Sequence, residues 1–382
     1  MLLLPIKSNI HLYRQNWSVI ARHSFKPFLF PSIGYLPAGI RKHLRKEQIV
    51  SIEIITTPNE GLKETGFGGV NACNSIKRVI QELGYTVNLN ICETKSDLDR
   101  VVQRQPDLVI LGVKYLQDKA QKQLWLADYF EKRGIPFTGS TPKALNFDSN
   151  KISAKIFLRN QGVQTAEFFT AIPDQYAHEN ELPLPMPLFL KPLSAANGNG
   201  VDEDSFVNDF DGFTRKVASL FSKFNHSIMA EAFLGGREFT VSVIENGSGE
   251  LLTAPIEIVP PILPNGLRIL GEEVKKADSE TLKRVNDMEL KASLSNLAID
   301  VFAKLEARDF GRVDIKSTAD GHLHFLEINL VPGLTEGTSY FPRAFEIEHE
   351  YKYPHVVKMV LENALSRCNI PPNKSVYHMN II

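Results

Sequence analysis

At 382 residues, 43% of them hydrophobic, the chain is long enough for two or three domains with sizeable cores. No apolar run approaches the length of a membrane span, the opening stretch 1–5 is too short even for a signal-peptide core, and a net charge of -1 gives no reason to expect nucleic acid as a partner. Cys73, Cys92 and Cys368 share no metal-ligand spacing, so free thiols in a reducing, cytoplasmic setting are the default.

Charge is uneven along the chain. Residues 1–46 contain no acid but carry Lys7, Arg14, Arg22, Lys26, Arg41, Lys42, Arg45 and Lys46. Such a basic arm, 1–48, reads either as an organelle transit peptide or as a segment docked on an acidic body or a membrane surface. Its aromatic residues and prolines, among them Trp17, Phe25, Pro27 and Pro31, favour docking.

From residue 49 the texture changes to apolar runs alternating with helical periodicity. Strands are expected at 49–55, 85–91, 108–112 and 136–138, and helices at 70–83, 96–104 and 119–133. That order makes 49–146 a βαβαβαβ domain with a parallel sheet. The loop 58–69 is rich in glycine and lies at the carboxyl end of the first strand, where open α/β sheets bind ligands, but it lacks the dinucleotide spacing.

A second segment, 147–234, opens with an N-cap at Ser149 or Asn150 and a helix at 151–160. Lys151 and Lys155 fall on one side of that helix, a pattern that by itself is more often a solvated face. The strand 187–192 carries Lys191 near its end, and the small-residue loop 194–201 follows. A lysine ending an apolar strand is costly unless it meets an anion, and a loop with free backbone N–H groups commonly covers phosphates. Together they suggest a polyphosphate clamp.

The third segment, 235–368, begins at a linker flanked by Glu231 and Glu238. Read as a hinge, its free backbone groups can bond the edge of a purine; the alternative is an ordinary connection with two exposed acids. Beyond a strand at 239–244 and a turn at Asn246-Gly247, the proline-rich 255–271 is expected to be a lid-length loop, continued by 272–278 with Lys275 and Lys276. A helix at 279–307, a hairpin within 311–342 and a helix at 354–368 complete the domain, leaving 369–382 as a tail.

The hairpin carries the most chemistry. Asp320-Gly321 signals a two-residue turn, which sets Asp314 opposite Glu327 and Arg312 opposite Asn329, all on one face. Two carboxylates about 5 Å apart repel unless a cation lies between them. Oxygen ligands from Asp314, Glu327 and Asn329 suit a hard ion, Mg2+ first and Mn2+ second. The alternative is a solvated polar face.

In order along the chain, the stretch 135–155, the FLKP of 189–192 with its small-residue loop, MAEAFLGGREF at 229–239, GRVDI at 311–315 and LEINLVPGLT at 326–335 resemble the ATP-grasp superfamily, and within it the D-alanine:D-alanine ligase family. The likeness covers about 49–368. It implies an ATP-grasp fold: an N-terminal parallel α/β domain plus two α+β domains enclosing ATP. By resemblance, Lys151 and Lys191 would hold phosphates, Glu231 the adenine amino group, Ala232 and Leu234 the adenine through their backbones, and Glu238 the ribose. Asp314, Glu327 and Asn329 would bind Mg2+, two ions in this family, and Arg312 would steady the oxyanion with Lys191 as its catalytic companion. The implied reaction joins an amino-acid-like carboxylate to an amine through an acylphosphate, with ADP and phosphate released.

Substrate positions depart from the family pattern. Asn197 stands where the family has a serine, and Lys276 where it has a tyrosine, with Lys275 beside it as a phosphate contact. The family's N-terminal glutamate has only Glu60 and Glu64 as candidates. The run 333–342 is one residue longer than the family's, which leaves Ser339 and Tyr340 as the carboxylate contacts. The ATP half is therefore read as intact and the substrate half as rebuilt. A divergent D-alanine:D-alanine ligase, a kinase-like member and a non-catalytic ATP-binding protein are the alternatives, and a homodimer stays open.

Overall fold

Four residue ranges, 50–58, 66–117, 122–193 and 198–373, are described by the structure, a computed structural model. The basic arm, Glu60, Glu64, Asn197 and the end of the tail lie outside them.

The chain enters through strand β1 (Ser51–Thr56), helix α1 (Val70–Glu82), β2 (Thr86–Ile91), α2 (Lys95–Gln103) and β3 (Leu108–Leu111). Their parallel order is β2-β1-β3, and Phe137 adds a parallel bridge to Val109, so the expected sheet is present. Thr94 and Asp97 close α2 with a reciprocal capping box. The helix expected over 119–133 is not formed as such. Two short strands, β4 (Tyr115–Gln117) and β5 (Gln123–Trp125), pair instead, and among the described residues of that stretch the helix is α3 (Leu126–Glu131). Cross-strand packing of Tyr115 on Trp125, ring centroids 5.2 Å apart, accounts for the difference. Helices α4 (Pro142–Ser149) and α5 (Lys151–Asn160) follow, and Asn150 caps α5 by accepting from Ser153 N–H.

A small antiparallel sheet comes next, built from β6 (Phe168–Ala171), β7 (Leu188–Pro192), β8 (Phe206–Val207) and β9 (Ile228–Ala232) in the order β6-β9-β7-β8. Helix α6 (Phe210–Phe224) buries Phe213, Val217 and Leu220 against it, giving this sheet a core of its own.

The remaining strands form one five-stranded antiparallel sheet. They are β10 (Glu238–Glu245), β11 (Leu251–Val259), β12 (Thr281–Arg284), β13 (Phe310–Ser317) and β14 (Leu323–Asn329), in the order β12-β11-β10-β13-β14. Helices α7 (Glu272–Lys276), α8 (Met288–Lys304), α9 (Tyr340–His349) and α10 (Tyr353–Arg367) accompany them. Two expectations are corrected here. Residues 255–259 belong to β11, so the loop starts at Pro260; and 279–307 splits into β12 and α8. Edge pairing of 281–284 with 256–259 holds the first part extended, and Asp287 starts the helix by accepting from Glu289 and Leu290 N–H at 3.0 Å.

The hairpin β13–β14 reaches the expected pairing by an unexpected route. Thr318 N–H bonds His322 O, so the turn holds three residues, Ala319, Asp320 and Gly321, with Gly321 at φ +97. That shifts the register near the turn by one: Ile315 faces Phe325 and Lys316 faces His324. A β-bulge at Leu326 then absorbs the extra residue, and Asp314 faces Glu327 and Arg312 faces Asn329 as expected.

Asp309, wholly buried, binds several elements together. It accepts from Gly139 N–H at 2.7 Å and from Arg367 at 2.6 and 2.8 Å, while Arg367 also donates to Phe137 O. The first sheet and the large sheet accordingly share one hydrophobic core. No helix among the described residues is long and apolar enough to cross a membrane.

Candidate active site

Between the small sheet and the large sheet lies a cleft. Lys151, Lys191, Glu231, Ala232, Leu234, Glu238, Lys275, Asp314, Glu327 and Tyr340 line it, so most of the residues singled out from sequence converge on one place. The linker after β9 is pinned tightly. Gly236 N–H bonds Ser317 O, and a Cβ there would lie 2.2 Å from Ser317 Oγ and Thr318 O, which makes glycine obligatory. The N–H of Ala232 donates to Glu167 O, so an adenine contact through that group is already taken.

Buried charges are organised in two clusters. In the first, Glu231 on β9 lies 2.8 Å from Lys155 Nζ and 2.5 Å from Lys191 Nζ. Lys155 is completely buried and also donates to Thr165 Oγ1 and Phe325 O, which corrects its reading as a solvated neighbour of Lys151. Helix α5 packs its lysine face onto the junction of the two sheets, so both lysines point inward. Burial would raise the Glu231 carboxyl, and the two ammonium groups reverse this and hold it at about 2. Burial lowers Lys155 to about 8 despite Glu231.

The second cluster surrounds the hairpin. Arg312 grips Asp314 through Nε and Nη2, both at 2.9 Å, Thr240 Oγ1 donates to the same carboxylate at 2.7 Å, and Asn329 Nδ2 lies 3.2 Å away. Lys151 Nζ lies 2.7 Å from Glu327. Burial works against charge on Glu327 and Lys151, yet each holds the other ionised. The two facing carboxylates are thus already neutralised by Arg312 and Lys151, so their repulsion alone does not require a metal. Among the described residues no group of three His, Cys, Asp or Glu side chains gathers as a metal site. The donor set nevertheless fits a hard divalent ion: two carboxylates and an amide on adjacent strands, with Asn329 able to present its oxygen by turning its amide. The β-bulge matters here because it brings both Leu326 and Glu327 to the cleft.

The lid segments meet. Gly200 N–H donates to Glu272 at 3.0 Å, Glu272 N–H donates to Val201 O, and Lys223 bridges Asn199 and Glu272. Lys275 faces the cleft, whereas Lys276 is exposed and bonds Glu272 and Glu273 of its own helix, off the cleft lining. A short helix puts neighbouring residues on different sides, and the acids one turn back capture Lys276. Ser339 is also drawn off the cleft lining: its Oγ accepts Thr335 N–H at 2.9 Å, tightening the turn before α9. Sequence reasoning missed Thr240, Lys155 and Glu280. Lys155 was signalled by its spacing from Lys151; Glu280 was hidden inside a stretch read as helix.

Two antiparallel sheets that close on a cleft, with Lys191 and Glu231 on the small one, Asp314 and Glu327 on the large one and Lys151 reaching in from α5, define an ATP-grasp fold. The family model described as D-ala D-ala ligase C-terminus matches residues 157–362, more than half of the chain, and the chain belongs to that family. D-alanine--D-alanine ligase A of Mesorhizobium japonicum is 27% identical over 267 residues, 69% of this chain and 73% of that protein. The D-alanine--D-alanine ligase of Aquifex aeolicus is 26% identical over 269 residues, 69% and 84% of the two chains. Among solved structures, D-alanine--D-alanine ligase from Bacillus anthracis complexed with ATP superposes with a TM-score of 0.65 at 21% identity, covering 84% of this chain and 99% of that one. The chain is an ATP-dependent ligase of the carbon–nitrogen class.

Proposed function

We propose that the cleft binds ATP together with Mg2+ and that the chain joins an amino-acid-like carboxylate to an amine through an acylphosphate. The observation that carries this reading is the meeting of Lys191 and Glu231 from the small sheet with Asp314 and Glu327 from the large one across a single cleft. Glu231 and the linker backbone around Leu234 would receive the adenine edge, Glu238 the ribose, and Lys151, Lys191 and Lys275 the phosphates. Asp314, Glu327 and Asn329 would hold Mg2+, which when bound offsets charge on the transferred phosphoryl group.

A carboxylate oxygen attacks the γ-phosphorus and the bond to ADP breaks; the amine then attacks the acyl carbon and phosphate leaves. Arg312 would donate to the oxyanion of the tetrahedral intermediate, with Asp314 fixing the plane of its guanidinium. Contact between the Gly200 loop and α7 excludes water that would otherwise hydrolyse the acylphosphate. Incubation with ATP, Mg2+ and panels of amino acids should give amine-dependent ADP release and a condensed product by mass spectrometry. ATP binding without amine-dependent release would sink the reading, and a phosphorylated product in place of a condensed one would convert it to a kinase.

D-alanine as the substrate of both halves is the second reading, favoured by the names of the relatives. Strong turnover with D-alanine alone would establish it. The replaced substrate positions, with Lys276 turned to solvent and Tyr340 on the cleft wall, favour a different pair.

A further inference from the structure

Glu280, immediately before β12, has no part in the chemistry above, yet it is a buried acid bonded to Tyr340 of the cleft wall. It is 7% exposed. One oxygen, Oε1, accepts the hydroxyl of Tyr340, and the other, Oε2, is buried and meets no hydrogen-bond donor among the described residues. Burial and the bond to Glu280 push the Tyr340 hydroxyl far above its ordinary range, so it stays a neutral donor. The arginines grouped about Tyr340 are engaged elsewhere. Arg312 lies 5.4 Å over the Tyr340 ring centroid but grips Asp314, and Arg343, one turn along α9, lies 3.7 Å from Asp278. A buried carboxylate with one neutral donor is costly, and the cost is relieved when a cation reaches its open oxygen.

Tyr340 itself lines the cleft, next to the arginine assigned to the oxyanion, in the run 333–342 that departs from the resembled family. We propose that Glu280, set behind Tyr340, is the specificity-determining group of the amine-substrate subsite, and that this subsite takes an amine carrying a second positive charge, in class a diamino acid. The inference rests on the ligase reading. The distal ammonium completes Glu280 Oε2, the Tyr340 ring covers the intervening methylene groups, and the reacting amine is left near Arg312. An amino acid with a plain alkyl side chain leaves Oε2 unsatisfied.

The test is calorimetric titration of the full chain, loaded with Mg2+ and a non-hydrolysable ATP analogue, with D- and L-ornithine and with norleucine of each configuration, which matches ornithine in shape but lacks its charge. Ornithine of one configuration should bind at least about tenfold tighter than norleucine, and Glu280→Gln should abolish that ratio. Equal binding to the wild-type chain overturns the inference without recourse to any variant. So does a ratio that survives in Glu280→Gln, whatever the absolute affinities. Tyr340→Phe, which keeps the carboxylate, should retain the preference for ornithine; its loss there, with the ratio intact in Glu280→Gln, would overturn the role given to Glu280. ADP release separates the two readings: release with several amines but no ornithine preference overturns this inference alone, whereas ornithine selectivity without release supports the cation subsite and overturns the reaction.

Discussion

Arg312 holds Asp314 through two parallel bonds, a geometry that lysine cannot reproduce. Arg312→Ala should lower kcat on the order of a hundredfold or more, with Arg312→Lys close behind, as read by initial rates of ADP release at saturating ATP. Glu231 gives a stability prediction of definite sign. Its carboxyl is lowered from 4.5 to about 2 in the folded chain, so the unfolded chain binds the extra proton between those values. The stabilisation is present above pH 4.5 and is lost as pH falls toward 2. Denaturant midpoints should therefore fall through that window in the wild-type chain and change less in Glu231→Gln. These residues differ in how legible they were. Glu231 and Arg312 stand inside ordered motifs, so sequence alone located them. Lys155 did not, because two lysines four apart say only that they share a side, and which side is buried depends on a sheet junction formed by residues far along the chain.

At the level of elements, the central strands and α5 were readable because their periodicity is strong and their caps are local. The misread pieces were edges. The β12 strand forms because β11, well before it in sequence, offers an edge, and the β4–β5 hairpin forms because Tyr115 packs across it on Trp125. In the hairpin, the Asp-Gly signal located the turn but not its length, and the bulge at Leu326 cancelled the error. Contact between the lid segments centres, among the described residues, on Glu272, which receives Gly200 N–H, Lys223 and Lys276. Glu272→Ala should loosen the lid and raise amine-independent ADP release relative to coupled turnover, measured as the ratio of ADP to condensed product.

Across the whole molecule, Asp309 is the tie between the first sheet, the large sheet and α10. Asp309→Ala leaves Gly139 N–H without its acceptor and Arg367 without its carboxylate partner, and should cost about 3–5 kcal/mol, seen as a lower urea midpoint. No sequence rule pointed to that clamp, since its partners come from residues 139, 363 and 367 and meet only after the sheets assemble. The described residues form two cores, one shared by the first and large sheets and one belonging to the small sheet with α6. In mechanical terms the enzyme is a vice with a fixed bed and one jaw. The bed is everything Asp309 ties down; the jaw is the small sheet, joined to the bed through the Thr165 bridge to Phe325 and through the linker at Gly236. Hydrogen exchange with and without an ATP analogue should then change along the rim of the jaw and at these two pivots, while the interior of the bed keeps its protection. Lys155, bonded to Thr165 and Glu231 on one side and to Phe325 on the other, is the pin that holds jaw and bed together at the first of these joints.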